Sequence, residues 1–153
     1  MGKRFSYQQQ ACALSLREGL AEYYSGHPGL LKGEELEGDS RTFFRSHDAC
    51  HVVFGLDTNL QDEALADFWA MMGTDVGLRR YVDYLRRSKE TMQIFREIGW
   101  GKTVLTTIRA IPKTAVVFLH TRKMTKKWPW TGYETYMDTA LNKIRAEFGV
   151  VVL

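Results

Sequence analysis

The chain has 153 residues, 44% apolar and 25% charged, which are values of one globular domain rather than of a fibrous, disordered or membrane-spanning chain. A net charge of +3 argues against a dedicated nucleic-acid binder, whose footprint is a strong basic patch, and no run of about 18 apolar residues is present to cross a bilayer as a helix. The two cysteines, Cys12 and Cys50, are too few for a disulfide framework and no N-terminal apolar run reads as a secretory signal, so a reducing cytoplasm is the expected setting.

Helical spacing of apolar residues recurs and period-two alternation is rare, so the expected fold is all-α: one compact single-domain helical bundle of about six helices over 1–153. The opening MGKRFS fits the N-myristoylation pattern, a six-residue match that chance often supplies. Ser6 to Tyr24 reads as a first helix ended by Gly26 and Pro28, and 27–39, HPGLLKGEELEGD, as a loop. Asp39 and Ser40 are N-cap candidates for a second helix running through Phe54 and closed by Gly55. GLDTNLQ is turn-rich, and Asn59 can cap a third helix through Met72 whose apolar set is Leu60, Ala64, Leu65, Phe68 and Met72. Residues 75–98 make a fourth helix, broken near Ser88, and 102–121 a fifth, kinked at Pro112. Thr131 and Glu134 form a capping box for the last helix, lined by Tyr133, Met137, Ala140, Leu141, Ile144 and Phe148 and followed by Gly149.

The densest chemistry is RSHDACHVVFGLDTNLQDEALADF, residues 45–68. On one helix His47 and His51 lie about 40° apart around the axis and one turn apart along it, the geometry by which two imidazoles grip one ion. Asp48 sits about 60° from His51, where it can be a ligand or an acceptor that orients a ring. Glu63 would be about 18 Å from His51 on a continuous helix, too far to share an ion. The pattern works only if the chain turns back at Gly55, Asp57 and Asn59, making a helical hairpin over 40–72 that returns Glu63 opposite the histidines. A His pair at this spacing is otherwise often interfacial or hydrogen-bonded, and Cys50 reads better as a small buried apolar group than as a soft ligand.

The pattern H-D-x-x-H-x11-E, read as HDACH, then VVFGLDTNLQD, then Glu63, resembles the signature of the ubiquinone-biosynthesis proteins named coenzyme Q biosynthesis protein four. The flanks HVVFG and EALADFW and the closing LNKIRAEFGV are similar too, so the resemblance covers about residues 40–150. It implies an α-helical protein acting late in quinone-ring assembly, removing the ring carboxyl of a polyprenylated hydroxybenzoate with replacement by oxygen. It further implies a divalent metal at His47, Asp48, His51 and Glu63, a site for a long isoprenoid chain, and a place beside the inner membrane. A homodimer or partner enzymes of a quinone-synthesis complex are the protein partners such a role would call for. Two imidazoles with carboxylates suit zinc first, then iron or manganese, with magnesium least matched because it prefers oxygens. Asp48 or Glu63, if not a ligand, could relay a proton in catalysis.

An isoprenoid tail would need an apolar cavity near the site, for which Phe43, Phe44, Leu65, Phe68 and Met72 are candidates; the plainer reading makes them core. REIGWGKT, 96–103, echoes a phosphate loop but has Arg96 where that loop needs glycine. In 103–130, Arg122, Lys123, Lys126 and Lys127 beside Trp128 and Trp130 (residues 122–130) suit a membrane-surface contact, though a solvated loop is the commoner meaning. His27 and His120 read as surface or hydrogen-bonded histidines, and Tyr7, Tyr23, Tyr24, Tyr81 and Tyr84 as core and rim. Two other functions fit the same residues. One is a non-catalytic isoprenoid-lipid-binding scaffold. The other is an HD-type metal-dependent phosphohydrolase, which needs a further His, such as His27, and a distant Asp among Asp75, Asp83 and Asp138.

Overall fold

The computed structural model describes residues 4–153, with side chains between 91 and 111 only at Gln93, Arg96, Glu97 and Gly99. The myristoylation pattern at Gly2 lies outside the described residues, and residues 102–111 lie outside the described side chains. Among the described residues the fold is all-α: α1 Leu16–Gly26, α2 Gly38–Phe54, α3 Leu60–Gly73, α4 Gly77–Arg87, α5 Lys89–Ile98, α6 Trp100–Lys123 and α7 Leu141–Phe148, with short 3-10 turns at Ser6–Gln8, Gly33–Glu35 and Tyr133–Tyr136. The break at Ser88 separates α4 from α5, and Pro112 lies inside α6. None of the described helices is long and apolar enough to cross a membrane.

Two helices start well after the positions that the sequence reading gave them. α1 begins at Leu16 rather than Ser6, because Ser15 and Glu18 close a capping box there. The chain ahead of it is pinned instead: the Glu22 carboxylate accepts from the backbone of Ser6 and Tyr7, and the Gln8 side chain folds back onto Arg4 and Phe5. The last helix begins at Leu141 rather than after Thr131. Glu134 does reach back to the Gly132 amide, but only a 3-10 turn follows. The next carbonyls, Met137 and Thr139, accept from Arg17 and Leu16, while Leu141 and Asn142 donate to Leu14 and Cys12. Long-range pairing thus occupies backbone groups that a longer α1 and α7 would use for themselves.

α2 is capped at Glu37, ahead of the expected Asp39 and Ser40, and Ser40 turns to hydrogen-bond Glu90 instead. Its other end closes as expected, on Gly55 in the left-handed region at φ 71°, where a glycine carries no Cβ penalty. Asn59 caps α3 by accepting from Gln61 and Asp62. Every residue of α2 from Ser46 to Phe54 is buried. A helix covered on all sides sits at the centre of the bundle, and α1, α3, α4 and α7 surround it.

The core around α2 includes Trp69 stacked on Phe54 at 4.3 Å, and Tyr81 and Trp130 packed around Phe43. Arg145 of α7 is wholly buried and donates to the carbonyls of Tyr7, Gln9, Val52 and Val53, tying the N-terminal segment to the end of α2. Trp128 and Trp130 are also buried, which removes the aromatic half of a membrane contact through 122–130. Their basic neighbours are engaged: Lys126 pairs with Glu147, and Lys127 donates to the Met72 carbonyl. Of the candidate cavity residues, Phe43 and Leu65 belong to the packed core and Phe44 and Phe68 lie against it.

Candidate metal centre

α2 and α3 form a hairpin, and its turn explains the site. Leu56 closes α2 by donating to the His51 carbonyl, Asp62 reaches back to the Asp57 amide, and Asn59 opens α3 at once. His51 therefore lies in the last turn of α2 and Glu63 in the first turn of α3. His51 Nε2 is 3.4 Å from Glu63 Oε2. One turn back along α2 and one turn on along α3, His47 Nε2 is 3.2 Å from Asp67 Oδ1. His47, His51 and Glu63 each offer a ligand atom within 4.8 Å of the others.

His51 is the most informative member. It is fully buried, stacked on Tyr23 at 5.4 Å, with the His47 ring edge-on at 4.9 Å. Neither of its ring nitrogens has a hydrogen-bond partner among the described residues. The Glu63 oxygen is close enough to attract electrostatically but too distant for a good hydrogen bond. A buried polar group without a partner costs about 1–3 kcal/mol, so such a ring persists where something else satisfies it. A divalent cation between these three side chains does that, and the donor set of two imidazoles and a carboxylate fits one.

Asp48 is placed differently from the other three sequence candidates. It stands outside the group of close donors, and its Oδ2 accepts the Tyr24 hydroxyl at 2.7 Å. Burial pushes the Asp48 carboxyl up to about 6, against the opposing pull of the Tyr24 hydrogen bond and the two histidines. His47 is raised as well, for a different reason. Burial alone would lower it, but the Asp67 carboxylate, with Glu63 and Asp48 behind it, raises it to about 9. For Glu63, burial would raise the carboxyl, yet His51 and His47 hold it below the ordinary range.

Asp67 escaped the sequence reading, and Tyr81, read as core or rim, was not tied to the site. The signal for Asp67 was present: in an antiparallel hairpin that sets Glu63 opposite His51, the residue four after Glu63 must face the residue four before His51. Tyr24 and Tyr81 come from α1 and α4, and no local spacing connects them to the motif. Three of the four HD-type nominees are engaged elsewhere. His27 lies between the Tyr23 carbonyl and Asp57, each at 2.8 Å, Asp75 accepts from the Trp130 amide, and Asp138 pairs with Arg17 on the surface. Cys50 is buried among apolar neighbours, with its thiol pushed far up by burial, and is not a member of the cluster. His120 faces the Val151 carbonyl, in keeping with its reading as a hydrogen-bonded histidine. No family model, no curated protein and no solved structure matches the chain.

Proposed function

We propose that this protein is a metal-dependent member of a quinone-ring modification step, holding a divalent cation between His47, His51 and Glu63 and acting on a polyprenylated aromatic acid. The metal half is carried by one observation: the buried His51 ring, with both nitrogens unpartnered, sits within ligand distance of a second imidazole and a carboxylate. The substrate half is supported by the resemblance of the H-D-x-x-H-x11-E spacing to ubiquinone-biosynthesis proteins. Zinc is the first choice among cations, with iron or manganese next, on the softness of the imidazole donors.

When bound, a divalent cation polarises a carboxylate or phenolate oxygen of an aromatic acid. The chain supplies the rest. His47 and His51 hold one side of the site from a buried helix, and Glu63 closes it from the facing helix with a side chain about one-third exposed, at 36%. Tyr23 and Phe43, stacked on the two imidazoles, keep water from their faces. Asp48, with a carboxyl pushed up to about 6 and a hydrogen bond from Tyr24, is suited to take or return a proton at Oδ2 near neutral pH. A polyprenyl tail calls for work beside a membrane. With the tryptophans buried, the contact would be electrostatic, through exposed groups such as Arg122 and Lys123.

The test combines elemental analysis of protein purified without chelators with release of carbon dioxide from a prenylated 4-hydroxybenzoate. Near-stoichiometric metal and turnover that Glu63→Gln abolishes support the reading. Metal without turnover, together with full complementation by Glu63→Gln of a strain lacking its own quinone-ring protein, would favour the scaffold. Trace metal only would remove the reading altogether.

A further inference from the structure

The carboxylate of Asp67 lies outside the three-residue cluster, and it is doubly engaged. Its Oδ1 accepts the Tyr81 hydroxyl at 2.5 Å and lies 3.2 Å from His47 Nε2. Tyr81 is wholly buried and packed edge-on against Trp130 and tilted against Phe43. Phe43 is in turn stacked on the His47 ring at 5.5 Å. Ring plane and ring edge of His47 are thus both set by neighbours outside the cluster.

A carboxylate can only accept, so the nitrogen facing it must carry a proton. A nitrogen that carries a proton has no lone pair for a cation, which leaves Nδ1 as the ligating atom of His47. We infer that Asp67, braced by Tyr81, is the positioning residue of this site: it holds the proton on His47 Nε2 and turns Nδ1 toward the cation shared with His51 and Glu63. The inference rests on the metal reading above. Asp67 itself lies outside the group of close donors, as an orienting partner should. The same carboxylate–imidazole–metal order recurs in metal sites where the outer carboxylate sets the tautomer.

Two measurements on the full chain test this. The first is ring-nitrogen NMR of zinc-loaded wild type, which reports directly which His47 nitrogen is bound and which is protonated. Nδ1 bound with Nε2–H is expected; Nε2 bound would overturn the inference. The second is zinc affinity by chelator competition for Asp67→Asn, Asp67→Glu and Tyr81→Phe. Losing an outer-shell partner of this kind typically weakens binding about 10–100-fold, expected for Asp67→Asn, with a smaller loss for Tyr81→Phe. Asp67→Glu keeps the acceptor and should recover part of the affinity, which a merely structural role would not predict. Wild-type affinity in Asp67→Asn would refute the positioning role while leaving the metal reading intact. Absence of zinc binding by wild type would remove both.

Discussion

Replacing His51 by leucine should move the metal-free and the metal-loaded protein in opposite directions. In the metal-free chain the ring is fully buried with two unpartnered nitrogens. Each such group costs about 1–3 kcal/mol, and a leucine of similar size carries neither. Imperfect shape takes back up to about 1.5 kcal/mol, as for other volume-conserving core swaps. Glu63 loses an electrostatic neighbour, but its partly exposed carboxylate can hydrate. The expected result is a metal-free gain of about 0.5–6 kcal/mol, or on the order of 1–24 °C in melting temperature for a chain of this size. Zinc at about a hundred times its dissociation constant should stabilise the wild type by about 2.7 kcal/mol and His51→Leu not at all. Differential scanning calorimetry of both proteins, with EDTA and with zinc, reads all four states. A metal-free His51→Leu protein melting several degrees below wild type would show that the imidazole is satisfied in the apo state. An equal zinc shift in both proteins would place the ion elsewhere.

Zinc binding should strengthen about tenfold per pH unit between pH 6 and 8, as measured by competition titration, because a His47 raised to about 9 must give up a proton to become a ligand. The metal-free protein should show the opposite trend. His47 and Asp48 both have raised folded values, so the stability they contribute is present at low pH and is lost as pH rises, from about 3.8 through 6 for Asp48 and from 6.5 through 9 for His47; denaturant melts across pH 4 to 9 in EDTA check the slope. Asp48→Asn should leave the metal-free melt near wild type, since the amide can still accept from Tyr24, but cut metal affinity or complementation about 10–100-fold; full complementation would make Asp48 dispensable. Arg145→Met should cost several kcal/mol in urea unfolding, since each hydrogen bond from a charged donor contributes about 1.5–3 kcal/mol and four carbonyls lose theirs; a loss under about 1 kcal/mol would mean those carbonyls find other partners.

What the sequence alone determined were the features whose cause is local. The helical period of apolar residues, the cap at Asn59 and the glycine at 55 were enough for an all-α chain with a hairpin over 40–72. The hairpin brings His47, His51 and Glu63 together because one turn of helix and one short loop are local geometry. Local signals failed where distant groups compete for the same backbone. Thr131 and Glu134 look like a helix start, and Ser6 to Tyr24 looks like one helix, until Leu14 and Cys12 claim the amides of Leu141 and Asn142, and Met137 and Thr139 those of Arg17 and Leu16. The basic stretch with Trp128 and Trp130 reads as a surface from composition, yet the indoles are buried; composition does not say which way a side chain faces.

Only the tertiary structure decided the surroundings that give the cluster its chemistry. The burial of α2 from Ser46 to Phe54 removes water from His51, and that turns a spacing pattern into a ring needing a ligand. Tyr24 on α1 draws Asp48 aside, and Tyr81 on α4 braces Asp67 behind His47. The partners lie 24 and 14 residues apart in the chain, on separate helices. No helical period links such positions. They meet because four helices bury their apolar faces against one another, and the polar groups carried along must find partners where that packing leaves them.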